Sequence, residues 1–196
     1  MKHIHSEESG RSMVEMLGVL AIVGVLSVGG IAGYSQAMSK FKVTKAMDQV
    51  QTIITNIRTL YASQRTYSDL TAKQAQAMGI LTEESIDGSD GLNPFGGKIY
   101  FGTDNDGRTF TITYTDLTGE ACVKMATADW GADQSSGLRG MGVGTVVANG
   151  KVALTHTWAH STEAAYKGKT DLPVTVASAA ALCGTNQNGA VTWYYR

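Results

Sequence analysis

Charge is scarce in this chain of 196 residues, and proline is scarcer. Only 17% of residues are Asp, Glu, Lys or Arg, the formal net charge is -1, and no long basic block or basic-aromatic interleaving occurs. Gripping a phosphate backbone takes clustered Lys and Arg, so no nucleic-acid partner is expected. There is no acidic tail and no low-complexity tract. The 2 cysteines, Cys122 and Cys183, stand 61 positions apart, which excludes a CxxC redox pair and makes a poor zinc cage. In an exported chain a disulfide between them is the natural reading, and in a cytosolic chain two separate thiols. Neither of the 2 prolines falls before Asn93, so nothing of that kind interrupts the first 93 residues. What is present is a globular composition, 43% hydrophobic, with 23 glycines and frequent Thr and Ser that indicate turns and exposed strands. The length suits one ordinary domain plus an appendage.

The appendage is N-terminal. Met16 to Ser39 is a run of 24 residues without a charge. As a helix it would reach about 36 Å, enough to cross a hydrocarbon core of about 30 Å. Gly18, Gly24, Gly29, Gly30 and Gly33 punctuate it. They weaken a soluble helix, but in a membrane or a tight bundle they allow close helix approach. Three readings compete. A cleaved secretory signal has a passable site at Ser35-Gln36-Ala37, yet the run is long for such a signal and Glu7, Glu8 and Glu15 spoil the basic region ahead of it. An uncleaved anchor gains little from the lysine and arginine rule. Lys2 and Arg11 precede the run while Lys40, Lys42 and Lys45 follow it, which favours the wrong orientation for an exported head.

The third reading uses the residues the others leave unexplained. Gly10, then Arg11-Ser12-Met13-Val14-Glu15, then the apolar run, resembles the class III signal of type IV pilins and pseudopilins. The resemblance implies a leader of residues 1–10, removed after Gly10 by a prepilin peptidase that also methylates the new amine on Arg11. Arg11 stands where the family usually begins with Phe, Met or Leu. Glu15 becomes the fifth residue of the mature chain, and the family role carried to it is to neutralise the N-terminus of an adjacent subunit and set the stagger. The physical need is plain. A free α-amine has an ordinary pKa of about 7.7–8.0 and is costly to bury unpaired. A carboxylate in the first turn of the mature helix is also favoured by the helix dipole.

Beyond the run, Val43, Ala46/Met47, Val50, Ile53/Ile54, Ile57 and Leu60/Tyr61 recur at helical spacing, with no Pro or Gly after Gly33 as far as Ser63. One helix of roughly 50 residues, about 75–80 Å, is expected, its first half in membrane or filament and its second half packed on a head. A short helix is expected at Thr71–Met78, and period-2 strands at Lys98–Gly102, Thr109–Tyr114, Gly144–Ala148, Lys151–His156 and Val191–Tyr195. Asp104-Asn105-Asp106-Gly107 reads as the hairpin turn of the first pair. A further helix fits Asp171–Leu182, after Pro173. The fold class is α+β: a long N-terminal helix on an antiparallel sheet, closed by a C-terminal disulfide. The expected organisation is leader 1–10, apolar transmembrane and filament-core helix 11–39, amphipathic half 40–65 and globular head 66–196.

Other motifs lead nowhere. Asp104–Gly107 lacks the EF-hand spacing. His156 and His160 lie on an alternating, strand-like stretch. "GTVVANGK" has five residues where a phosphate loop has four, and "GLRGMGVG" at Gly137–Gly144 fails the dinucleotide spacing and reads as a flexible surface loop. Trp193, Tyr194 and Tyr195 fall in a final strand. No catalytic constellation, metal site or cofactor is expected. "NPFGGKIYF" at Asn93–Phe101 resembles the start of the sheet in type IVb major pilins. A mature length of 186 residues, a 10-residue leader, and Ala32 where class a pilins often carry proline point the same way.

The resemblance thus implies a structural subunit that polymerises with copies of itself. It would pass from the inner membrane to an extracellular filament, served by the prepilin peptidase and methylase and by an assembly platform and ATPase. Adhesion, aggregation, mating contact or motility would follow from the polymer. A type II secretion pseudopilin is the near alternative, against which Cys122 and Cys183 count. A signal-anchored extracytoplasmic enzyme or binding protein is the alternative from another class.

Overall fold

The computed structural model describes residues 8–68, 70–88, 90–104, 106–131, 136–146, 152–159, 169–184 and 188–196. Helix α1 runs Glu8–Leu60, 53 residues without a break, as its lack of proline allows. The chain divides into two compact units, Met1–Phe41 and Lys42–Arg196.

In the second unit, Val43, Ala46, Val50, Ile53, Ile54 and Ile57 of α1 are buried, the stripe read from the 3,4 spacing. The helix stops at Leu60, short of Ser63. Three turn bonds follow, Tyr61 N to Ile57 O, Ala62 N to Thr59 O and Gln64 N to Tyr61 O, and the buried Tyr61 ring packs on Tyr67 at 5.4 Å. Helix α2 (Ala72–Ala77) opens with a reciprocal capping box, Thr71 with Gln74.

Eight strands follow: β1 (Ile86–Asp87), β2 (Asp90–Leu92), β3 (Lys98–Thr103), β4 (Phe110–Leu117), β5 (Leu138–Val146), β6 (Val152–Ala159), β7 (Lys169–Asp171) and β8 (Gly189–Tyr195). They form one sheet in the order β1-β2-β3-β4-β8-β5-β6-β7, so the last strand lies at its centre. All pairs are antiparallel except β6 with β7, which is parallel, a departure from the all-antiparallel expectation. Alternation sorts the faces. Phe110, Ile112 and Tyr114 of β4, Val191, Trp193 and Tyr195 of β8, and Met141 and Val143 of β5 join the core. Thr113 and Thr192 are paired across β4 and β8 on the opposite face, their hydroxyls 2.8 Å apart.

Three expectations are corrected. "GLRGMGVG" is no surface loop but most of β5, in the middle of the sheet. Its period 2 is hidden because Gly140, Gly142 and Gly144 occupy one face. At Gly140 a Cβ would sit 2.7 Å from the Trp158 carbonyl oxygen, so the neighbouring strand leaves room for glycine only. The C-terminal helix, α4, starts at Val176 and not Asp171, because Thr175 is its N-cap and Lys169–Asp171 is spent on β7. Helix α3 (Gly119–Thr127) was not expected at all. Ala148-Asn149-Gly150 and His160 lie outside the described residues, while β5 and β6 on either side of the former pair antiparallel.

"NPFGG" does not start the sheet, which begins at Ile86; it is the turn from β2 into β3. The buried Asn93 side chain donates to the Thr115 carbonyl at 2.8 Å and accepts from the Phe95 and Gly97 amides at 2.9 and 3.1 Å. A Cβ on Gly97 would lie 2.0 Å from Thr115 O, which is backbone and cannot rotate aside. Gly97→Ala is expected to destabilise the head by about 3 kcal/mol, the upper end of overpacking penalties. Urea unfolding followed by tryptophan fluorescence measures it, and an unchanged midpoint would contradict the clash.

Candidate functional site

The N-terminal unit offers its surface, not a pocket. From Met13 to Ile31 its large apolar side chains are 52 to 75% exposed. Water does not tolerate so long an apolar face, which marks a membrane or protein contact. By length and composition α1 can cross a membrane. Two of its hydroxyls bond within the helix. The Ser27 hydroxyl donates to the Val23 carbonyl at 2.7 Å and Ser35 to Ala32 at 2.9 Å. A Cβ placed at Gly18, Gly24, Gly29, Gly30 or Gly33 would meet nothing within 4 Å, so these positions are bare to an approaching helix.

Glu15 is exposed and sits two turns beyond the start of α1 at Glu8, with Gly10 and Arg11 in the first turn. In the uncut chain it is therefore not a first-turn residue. Removing residues 1–10 would make it one. The pairing of Glu15 with a neighbour's amine belongs to an assembly of several chains and stays a proposal.

The second predicted pair is brought together. Cys122 on α3 and Cys183 on α4 form a disulfide, with a Cα–Cα distance of 5.7 Å and both residues buried. Each helix is started by a threonine: Thr118 accepts from the Ala121 amide and Thr175 from the Ser178 amide, both at 3.3 Å. The bond staples the two helices beside the first residue of β8, where Gly189 stands against Cys122.

Sequence reasoning missed Gln49, which looks like any polar residue of an amphipathic helix. Its amide nitrogen donates to Ser85 Oγ at 2.8 Å and to the Leu92 carbonyl at 3.3 Å, and its oxygen accepts from the Tyr114 hydroxyl at 2.7 Å. One side chain thus ties the helix to two strands. Burial holds the Tyr114 phenol well above its ordinary pKa of 10, and Tyr195, which donates to the Trp130 carbonyl at 2.9 Å, is raised by the same cause. His156 stacks edge-on against Trp158 with ring centroids 5.0 Å apart. Asp104 Oδ1 accepts from the Arg108 and Thr109 amides, the work of a turn. Among the described residues no group of three or more His, Cys, Asp or Glu could hold a metal.

A bare apolar helix at the N-terminus and an α+β head closed by a disulfide agree with the pilin resemblance carried by Gly10 and Glu15. The bundlin family model matches residues 36–190. The chain belongs to the bundlin family. It is 28% identical over 194 residues to the major structural subunit of bundle-forming pilus from Escherichia coli O127:H6 (strain E2348/69 / EPEC), covering 96% of this chain and 95% of that one. The protein of the same name from Escherichia coli O111:H- is 27% identical over the same coverage. Among solved structures, TcpA, a type IV pilin from Vibrio cholerae El Tor biotype, aligns with a TM-score of 0.48 at 17% identity, over 79% of this chain and 99% of that one.

Proposed function

We propose that this chain is the major structural subunit of a type IVb pilus and polymerises through α1 into an extracellular filament. Its role is structural and not enzymatic. The observation that carries the proposal is the uncharged run Met16–Ser39, exposed as far as Ala37, which follows Gly10 and Glu15 at pilin spacing. In this reading the chain enters the inner membrane as a prepilin, with α1 spanning the bilayer. A prepilin peptidase removes residues 1–10 and methylates Arg11. The disulfide forms outside the cytoplasm, and an assembly platform and ATPase extract the helix into the filament. Residues 11–39 then form the filament core, 40–65 the half of the helix that carries the head, and 66–196 the exposed head. The names of the two Escherichia coli relatives add lateral bundling of filaments as the activity of the polymer.

Deleting the coding sequence is expected to remove a class of long surface fibres, and antibody to the head should label them along their length. Label confined to fibre tips would make the chain a minor subunit. Fibres unchanged by the deletion would overturn the proposal.

A further inference from the structure

The arginines of the unit Lys42–Arg196 are Arg58, Arg65, Arg108, Arg139 and Arg196, and all of them fall at one end of the sheet. Arg139 is the second residue of β5 and Arg196 follows β8, strands in register with Leu138 beside Tyr195. Arg108 lies in the turn from β3 to β4, which opens at the same end with Phe110 opposite Tyr195. Arg65 is brought there by the bond from the Tyr67 amide to the Gly107 carbonyl at 2.7 Å. Arg58 reaches it through its own bond to the Ser136 carbonyl at 2.7 Å. Asp104 and Asp129 of this end accept backbone amides, while Asp106, Arg65 and Arg108 are exposed.

The other end carries carboxylates. Gln49 of α1 bonds to Leu92, which stands opposite Lys98 at the start of β3, so this part of α1 lies away from the arginines. Between it and the turn Glu83–Ser85 runs a groove of about 320 Å³, lined by Lys45, Asp48, Ile53, Ile80, Leu81 and Glu84 among others. Asp48, Glu83 and Glu84 are exposed. Among the described residues no ion pair involves Asp48, Glu84, Arg65 or Arg108. We propose that the arginine end of one copy docks on the carboxylate groove of a second copy, with Arg65 and Arg108 paired to Asp48 and Glu84. The inference rests on the filament reading above and names a contact within it. Two unlike surfaces of one chain that meet head to tail form an interface that repeats without closing, as a fibre requires. Arginine suits the task, because its planar fork grips a carboxylate through two N–H bonds and sheds water more readily than an ammonium group. Its methylene stem matches the apolar floor of Ile53, Ile80 and Leu81.

The test is charge reversal in the full-length chain, read as the yield of sheared surface fibres. R65E/R108E and D48R/E84R are each expected to lower the yield roughly tenfold or more, because like charges then face each other across the contact. The variant R65E/R108E/D48R/E84R, in which both surfaces are exchanged, should restore fibres. So should co-expression of the two double variants, whose unlike copies fit one another, and both chains should be present in the fibres recovered. All four side chains are exposed, so urea midpoints equal to wild type show that the heads are folded. A near-normal yield from either double variant overturns the contact. Loss of fibres that neither the exchanged variant nor co-expression repairs overturns it too, since the arginines and carboxylates would then serve different partners. Wild-type fibres that lack this chain are a different failure, which removes the pilin reading and the contact with it.

Discussion

Glu15→Ala is expected to abolish filaments while removal of the leader after Gly10 continues. The two outcomes separate because the peptidase acts on a single chain, whereas Glu15 is proposed to act between chains. Cleavage would leave Arg11 with a free amine, largely protonated near neutral pH. Packing the bare helices together draws that cation into a core of Leu, Ile, Val and Gly, where an unpaired charge costs several kcal/mol. The penalty recurs at every subunit added, so a cost that a single domain could absorb becomes prohibitive for a polymer. A carboxylate on the adjacent helix offsets it at one axial offset only, which is how a single residue can set the stagger. Glu15→Gln should be nearly as damaging, since an amide accepts a hydrogen bond but leaves the charge uncompensated. Gel mobility of the membrane form reads cleavage, and the yield of sheared surface fibres reads assembly. A normal fibre yield from Glu15→Ala would sink the role assigned to Glu15.

The other large effect is expected from the disulfide. Cys122 and Cys183 close a loop of 61 positions, which the chain-entropy treatment credits with about 4 kcal/mol. Against the 5–15 kcal/mol typical of a whole domain, that is a large share. The bond also matters by position. Helices α3 and α4 are short, at 9 and 8 residues, and too short to hold themselves without packing. The C122S/C183S variant should therefore unfold at a clearly lower urea concentration than wild type, and reducing agent should move wild type to the same midpoint. If the reduced and oxidised forms unfold together, the staple contributes little.

Much of this was legible in residues alone. The uncharged run, the 3,4 stripe from Val43 to Ile57 and the strands around Asp104–Gly107 follow from periodicities that one side chain after another obeys. Period-2 reading failed at β5 because three of its positions are glycine, and a face without side chains leaves no pattern. It failed at α3 because "GEACVKMAT" has the small and mixed residues of a helix held by its surroundings: a threonine cap, a disulfide and the Trp130 ring. Trp130 itself bonds back to the Met125 carbonyl. Strand β7 has only three residues, too few to show an alternation. Gln49 escaped notice because its three partners lie 36, 43 and 65 positions away. The proposed assembly site shows the reverse: Gly10, Arg11 and Glu15 rest on a resemblance, and the partner proposed for Glu15 is another copy of the chain.

The most direct measurement is the intact mass and N-terminal sequence of the subunit recovered from sheared, purified surface fibres. A chain beginning at methylated Arg11, with Cys122 and Cys183 oxidised, is the expected result. Fibres that lack this chain, or a chain beginning at Met1 or Met38, would contradict it.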